Sequence, residues 1–521
     1  MSGDHSGLSF TSVSGAISVD VAMSIGAQWT EFARACSADG GQLVTLWGSD
    51  RRDLGDGFVV TAVYAIGGRL ACVRIGARQD QGAADEPPHY PDLAAIFPVA
   101  GRLQRAVFDL LGVSARDAVD RRSWLRHAAW PADFFPLRRD SDGQRHFDSH
   151  QEAYPFVTVA GEGVHEIPVG PIHAGIIEPG HFRFSIVGEK VLRLEERLGY
   201  VHKGIDKLFE GRPLADGHRV AGRVSGDSTV AFAWAYAMAA EAATGCEIPA
   251  RAAWLRALLL ERERIANHLG DLGALGNDAA LAFGLTQFSR LREDWQRMNA
   301  ELFGHRLLMD CIVPGGVAVD LPGTAASRLH AQCDDIEREL RPLRSIYDEH
   351  AGLQDRFHTT GIVTSDLAAQ LGLTGLAGRA SAQARDLRVD LPCAPYDRLG
   401  VQLVTDTRGD VAARVTVRFD EINESLRLIR AIVDALPPGE LRRPLPATSS
   451  RGFGVGAVEG WRGPTLVALE ADAPDRVRRC HCHDPSWNNW PLLEHAVLGN
   501  IVPDFPLINK SFNLSYSGHD R

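Results

Sequence analysis

Five long stretches of helical periodicity between positions 228 and 435 set the architecture this chain can adopt. Residues 251–269 carry Leu255, Leu258, Leu259, Ile265 and Leu269 at three- and four-residue spacing, which draws one apolar stripe along a helix. The preceding run, 228–244, opens with hydroxyl side chains suited to capping and closes at Gly245. Further helices are predicted at 284–303, 325–350 and 415–435. Each striped helix must bury its apolar face against a neighbour, so the second part of the chain is a helical core. Strand patterns return only at 452–458, 465–471 and 476–483.

The first part reads differently. A short amphipathic helix at 28–36 precedes β-rich runs at 42–47, 58–66 and 69–75, with Gly67-Gly68 as a turn. Polar, proline-containing sequence follows at 79–91, then a helix at 102–111 closed by Gly112. The Arg-, Asp-, Ser- and His-rich stretch 138–151 is the linker candidate. A chain of 521 residues exceeds one typical core. The expected fold is α+β: a small α+β domain over 1–145, then a mainly helical domain with short antiparallel sheets over 146–521.

Composition excludes several classes. A net charge of -11 argues against a nucleic-acid surface, which needs a basic face. The N-terminus lacks a basic region followed by an apolar stretch, so no secretory signal is expected. The most apolar helical run, 231–240, is about half of what a bilayer crossing requires. The expectation is a cytoplasmic chain able to associate peripherally with the membrane. Eight scattered cysteines include no Cys-x-x-Cys, so neither a disulfide framework nor an iron–sulfur cluster held by this chain is expected. Cys480-His481-Cys482-His483 would place its cysteines and histidines on opposite faces of a strand, so four ligands cannot converge. Gly452-Phe453-Gly454-Val455-Gly456 lacks the spacing of a dinucleotide fingerprint and reads as structural.

Ordered motifs add a resemblance. Gly170-Pro171-Ile172-His173 with Glu178-Pro179-Gly180-His181-Phe182-Arg183-Phe184 resembles the N-terminal hairpin of the large subunit of energy-converting nickel–iron hydrogenases. The same region occurs in the quinone-site (49 kDa-like) subunit of respiratory complex I. Gly199-Tyr200-Val201-His202-Lys203-Gly204, Glu261-x-x-Arg264, Pro314-Gly315-Gly316-Val317, Gly409-Asp410 and Asp484-Pro485-Ser486 match further family segments in order. Phe108-Asp109-Leu110-Leu111-Gly112-Val113, Trp130-Pro131 and Phe135-Pro136-Leu137-Arg138 resemble the smaller 30 kDa-like complex I subunit. A fusion of the two is the arrangement of the formate hydrogenlyase type.

The resemblance also implies what is missing. The four thiolates that hold nickel and iron in such hydrogenases fall here on Ser225, Ser228, Ser515 and Gly518. Hydroxyls are hard, weak ligands and glycine offers none, so neither a metal at this site nor hydrogenase activity is expected. In complex I a histidine and a tyrosine flank the quinone; the tyrosine position is Gly226, and the histidine role falls to His173 or His181. Arg379 resembles an arginine close to the active site in both families, and Asp278 a buried acid of the quinone site. The expected catalytic residues are therefore His173 and Arg379, beside a cavity lined by Ser225, Ser228, Ser515, His181 and Asp278. That cavity would hold a quinone, another small acceptor, or only water. The expected role is the large subunit of a complex I-like, membrane-associated oxidoreductase complex. Its expected partners are an iron–sulfur small subunit and membrane-arm subunits. The alternative is a non-catalytic assembly subunit.

Overall fold

A computed structural model describes residues 7–80, 86–148, 152–173, 177–447 and 451–521. In the first part, β1 (Thr11–Val13), β2 (Val19–Ser24), α1 (Gly26–Ala38), β3 (Gln42–Arg51), β4 (Gly57–Ile66) and β5 (Arg69–Gly76) precede α2 (Ala100–Leu111). The sheet order is β1-β2-β5-β4-β3, antiparallel throughout except for the parallel β2–β5 pair. Strands β1 and β2 carry no local alternation strong enough to read from sequence. Asp20 of β2 is held by Arg69 of β5 at 2.7 Å, a partner 49 residues away. Gly112 closes α2 at φ 73°, a conformation glycine adopts without penalty. Within the predicted linker, 138–148 forms no helix or strand. Residues 149–151 and the N-terminal Met1 to His5 lie outside the described residues, as do 81–85 of the polar stretch.

The second part opens with an antiparallel sheet of β6 (Val164–Val169), β7 (His181–Val187) and β8 (Lys190–Arg197). Then come α3 (Thr229–Thr244), α4 (Ala250–Asp278), α5 (Ala282–Phe303), α6 (Ala325–Glu349) and α7 (Val411–Ala435). The chain ends with the antiparallel sheet β9 (Gly452–Glu459), β10 (Pro464–Asp472), β11 (Arg476–His483), followed by α8 (Ser486–Ala496), α9 (Phe505–Phe512) and α10 (Tyr516–Asp520). Helix α4 is central, packed against α5, α7 and α9. It runs nine residues past the predicted end because Gly273 and Gly276 are packing positions, not stops. A Cβ at Gly276 would overlap the Tyr347 hydroxyl of α6.

Helix α3 lies directly on β9. Gly452, Gly454 and Gly456 face the carbonyls of Ala243, Ala239 and Ala235 in turn, with no room for a Cβ. Two strand residues rise about 6.8 Å and four helical residues about 6.0 Å, so every second glycine meets every fourth alanine. The glycine-rich run is structural, as its sequence indicates. The hydroxyl cap predicted for α3 is not used. The Glu263 carboxylate of α4 accepts from the Val230 and Ala231 N–H groups instead, at 2.7 and 3.2 Å.

The two parts share a core. Trp47, Val63, Leu70 and Cys72 of the first sheet belong to one apolar cluster with α4 and α7. Strand β3 also meets β11: Trp47 stacks on His481 at 4.8 Å, and Thr45 Oγ1 lies 2.9 Å from His481 Nε2. Cys480 and Cys482 face the other way, into a cluster with Phe232 and Tyr236 of α3. The alternation expected of that tract is what the strand shows.

Candidate functional site

Ser225 stands just before α3, and Ser515 is the N-cap of α10, where its Oγ accepts from Gly518 N at 2.8 Å. The fold brings these distant residues together: Ser515 Oγ donates to Ser225 Oγ at 3.3 Å. Ser225 Oγ in turn donates to Asp227 Oδ1 at 2.5 Å. Ser228 Oγ accepts from Arg462 Nη1 at 3.3 Å, and the same guanidinium nitrogen reaches Asp227 Oδ1 at 2.9 Å. Arg462 also holds the C-terminal segment through Asn513 O at 2.6 Å. Asn513 takes a left-handed conformation, φ 43°, which asparagine tolerates.

The fourth position is filled from elsewhere. A Cβ at Gly518 would lie 2.6 Å from Asp484 Cγ and 2.8 Å from Ser515 Oγ. Asp484 is buried, its Oδ2 has no hydrogen-bond partner among the described residues, and burial pushes its pKa up. Its other oxygen accepts from Ser486 N at 2.8 Å, and Ser486 Oγ accepts from Ser515 N at 2.8 Å. The set therefore comprises four hydroxyls, two carboxylates and one guanidinium. It does not fit a nickel–iron centre, which needs soft thiolates. Gly518→Ala should cost about 1–3 kcal/mol in a denaturant titration, since the methyl group must displace the Asp484 carboxylate.

Arg379 belongs to a second cluster. It is fully buried, with Nε 2.8 Å from Glu421 Oε1, Nη1 2.7 Å from Glu459 Oε1, and Nη1 3.1 Å from the Arg385 carbonyl. Glu421 accepts also from His268 Nε2 at 2.8 Å. Glu261 joins through Arg264, at 3.1 Å, and Arg388, at 3.2 Å, and Arg388 pairs with Asp386 at 2.7 Å. Four carboxylates thus face three guanidinium groups. The surplus negative charge shows at Glu459, whose pKa burial and Asp386 push up to about 7. Among the described residues Arg379 hydrogen-bonds to carboxylates and one carbonyl and to none of the serines.

The remaining candidates make contacts of their own. His173 sits beside Pro171 O, 3.3 Å from its Nδ1, with its ring edge-on to Phe182. His181 Nδ1 donates to Gly170 O at 3.2 Å and its ring lies 5.1 Å from Phe156. His202 Nδ1 donates to the Asp520 carbonyl at 2.7 Å. Asp278 is the last residue of α4, and burial raises its pKa against the opposing pull of Lys510. Position 226, the expected tyrosine, faces open space. Two cavities lie elsewhere among the described residues. One of about 430 Å³ runs between the Gly40-Gly41 and Gly67-Gly68 turns and Glu459, and one of about 420 Å³ lies beside His181. Neither is lined by Ser225, Ser228 or Ser515. Sequence reasoning passed over Asp227, Arg462 and Asp484, although each lies inside or beside a motif already singled out.

With this geometry in hand, similarity to known proteins becomes informative. Residues 25–147 match the family of the respiratory-chain NADH dehydrogenase 30 Kd subunit, and residues 271–451 that of the 49 Kd subunit. The chain is 31% identical over 487 residues to formate hydrogenlyase subunit 5 of Escherichia coli (strain K12), spanning 92% of this chain and 85% of that one. It is 31% identical over 360 residues to the carbon monoxide-induced hydrogenase of Rhodospirillum rubrum, spanning 68% and 99%. The C/D polypeptide of the NADH-quinone oxidoreductase of Bacteroides thetaiotaomicron is 29% identical over 419 residues, spanning 76% and 78%. A chain in the structure of the membrane-bound sulfane sulfur reductase, an archaeal respiratory membrane complex, superposes with a TM-score of 0.65 at 25% identity. That match covers 70% of this chain and all of the other. The protein belongs to the family of complex I-like and hydrogenase-related subunits in which 30 kDa-type and 49 kDa-type domains are fused. Among the described residues, no helix is long and apolar enough to cross a membrane.

Proposed function

We propose that this chain is the large subunit of a complex I-like, membrane-associated oxidoreductase complex that works without a nickel–iron centre. Electrons would arrive from an iron–sulfur small subunit and leave to a quinone or another acceptor other than protons. Membrane-arm subunits would anchor the assembly, with this chain peripheral to the membrane. One observation carries the reading: the four relict ligand positions still converge, Ser515 against Ser225 at 3.3 Å, but supply only hydroxyls and a glycine whose side-chain volume Asp484 occupies. The architecture is kept while the donor set for the metals is gone.

Metal analysis of the anaerobically purified complex tests this. The expected result is iron accounted for by iron–sulfur clusters, no stoichiometric nickel, and no hydrogen uptake or evolution. Nickel at one atom per chain would overturn the proposal. The second reading, an assembly subunit, draws on the closed hydrogen bonding of the serine cluster. His173→Ala separates the two, because His173 is partly exposed and makes one long hydrogen bond among the described residues. Loss of quinone-dependent electron flow with assembly intact would support the redox role. Unchanged flow would support the assembly role.

A further inference from the structure

The cavity beside His181 is a built site of its own. It lies between residues 121–127 and 152–156 on one side and the β7–β8 hairpin with Tyr200 on the other, and its volume of about 420 Å³ is in the range of small-ligand pockets. Tyr154, Phe156 and Tyr200 give it aromatic walls. Its charges do not cancel. Arg122 is matched by Asp120 at 2.7 Å and Glu195 at 2.5 Å, and Arg126 by Glu152 at 3.1 Å. Arg197 has no carboxylate at ion-pair distance among the described residues. It is 3% exposed, its Nη1 donates to the carbonyls of Ser123 and Trp124, both at 2.6 Å, and its guanidinium carbon lies 4.3 Å from the Tyr154 ring centroid. The acid that faces it, Asp109, is spent on the backbone N–H groups of Trp124, Leu125 and Arg126 at 2.6, 2.7 and 3.3 Å. Among the described residues exposed Arg121 makes one hydrogen bond, to Ala118 O at 3.2 Å.

A buried guanidinium without a carboxylate is costly unless a negative group completes it. The surroundings register that surplus of positive charge. His127, whose Nε2 donates to Leu198 O at 2.6 Å, has its pKa pushed down to about 4, by burial first and then by Arg197. Burial and Arg183 lower that of His181, and burial lowers that of Arg197 itself to about 10. Burial therefore disfavours the charged form of both imidazoles, and among the described residues the cations at the cleft without an ion-pair partner are Arg197 and Arg121.

We infer that this cleft binds a small planar anion, an aromatic or conjugated carboxylate, paired with Arg197 and Arg121 and stacked against the tyrosine and phenylalanine walls. The guanidinium fork matches a carboxylate geometrically, and rings of this kind favour a flat partner. None of the relict ligand positions lines this cleft, and of the residues expected at the redox site it shares only His181, on which the binding test does not rest.

Isothermal titration of the full-length chain with benzoate as the probe is the test. The expected result is one saturable site per chain, weakened at least about tenfold by Arg197→Gln or by Arg121→Ala with melting temperature unchanged. Arg197 also braces two carbonyls, so the exposed Arg121 provides the variant that leaves folding untouched. Benzamide, planar but neutral, and inorganic phosphate, anionic but not planar, should bind at least about tenfold more weakly than benzoate. No saturable benzoate binding at millimolar concentration would overturn the inference. So would undiminished binding in both variants, or benzamide or phosphate matching benzoate.

Discussion

Arg379→Ala is expected to lower the stability of the chain by about 3–5 kcal/mol, the cost of removing one partner from a buried ion network. The side chain is fully buried and holds Glu421 and Glu459 at once, with Asp386 3.5 Å away. Burial raises the pKa of Glu421, yet Arg379 and His268 together bring it well below the ordinary value. Without the guanidinium, two nearly inaccessible carboxylates would have to take up protons or admit water. Arg379→Lys should recover only part of the loss, because a single ammonium cannot span the separate contacts that Nε and Nη1 make. A urea midpoint measured at neutral pH decides it. A loss under about 1 kcal/mol would place these carboxylates in contact with water. The same geometry means that lost activity in Arg379→Ala would report on folding before it reported on catalysis.

Gly456→Val should be nearly as severe, about 3 kcal/mol, at the upper end of overpacking costs. A Cβ at 456 would stand 2.6 Å from Met238 Cβ and would overlap the Ala235 carbonyl. Backbone meets backbone there, so no rotamer change relieves the clash. Helix α3 would lift from β9, and with it the Gly226–Ser228 turn that precedes α3 and carries part of the relict site. Gly226→Val is the control: position 226 faces open space, and the substitution should stay within about 0.5 kcal/mol. Equal midpoints for the two variants would contradict the close helix-on-sheet contact.

Helix periodicity placed all five long helices, and alternation placed β3, β4 and β5 and the C-terminal sheet. The errors came where distant partners override local signals. The predicted end of α4 at 269 fell short because a sequence does not announce that Tyr347 will pack against Gly276. Strand β2 went unread because its pairing with β5 is a long-range parallel contact. Ser228 read as a helix cap, yet Glu263 from another helix does that work.

At the site the division is sharper. The residues that replaced sulfur, Ser225, Ser228, Ser515 and Gly518, could be named from the chain alone, because they sit inside ordered motifs. The chemistry of their donor atoms, hard or absent, was fixed there too. Only the folded chain decided what closed the gap: Asp227 and Arg462 linking the two halves, and Asp484 in the space of the fourth side chain. It also decided that Arg379 bonds the carboxylates of α7 and β9. Ligand identity is a property of each residue, written one position at a time. Charge compensation depends on which groups lie within a few ångströms, and folding sets that for residues hundreds of positions apart.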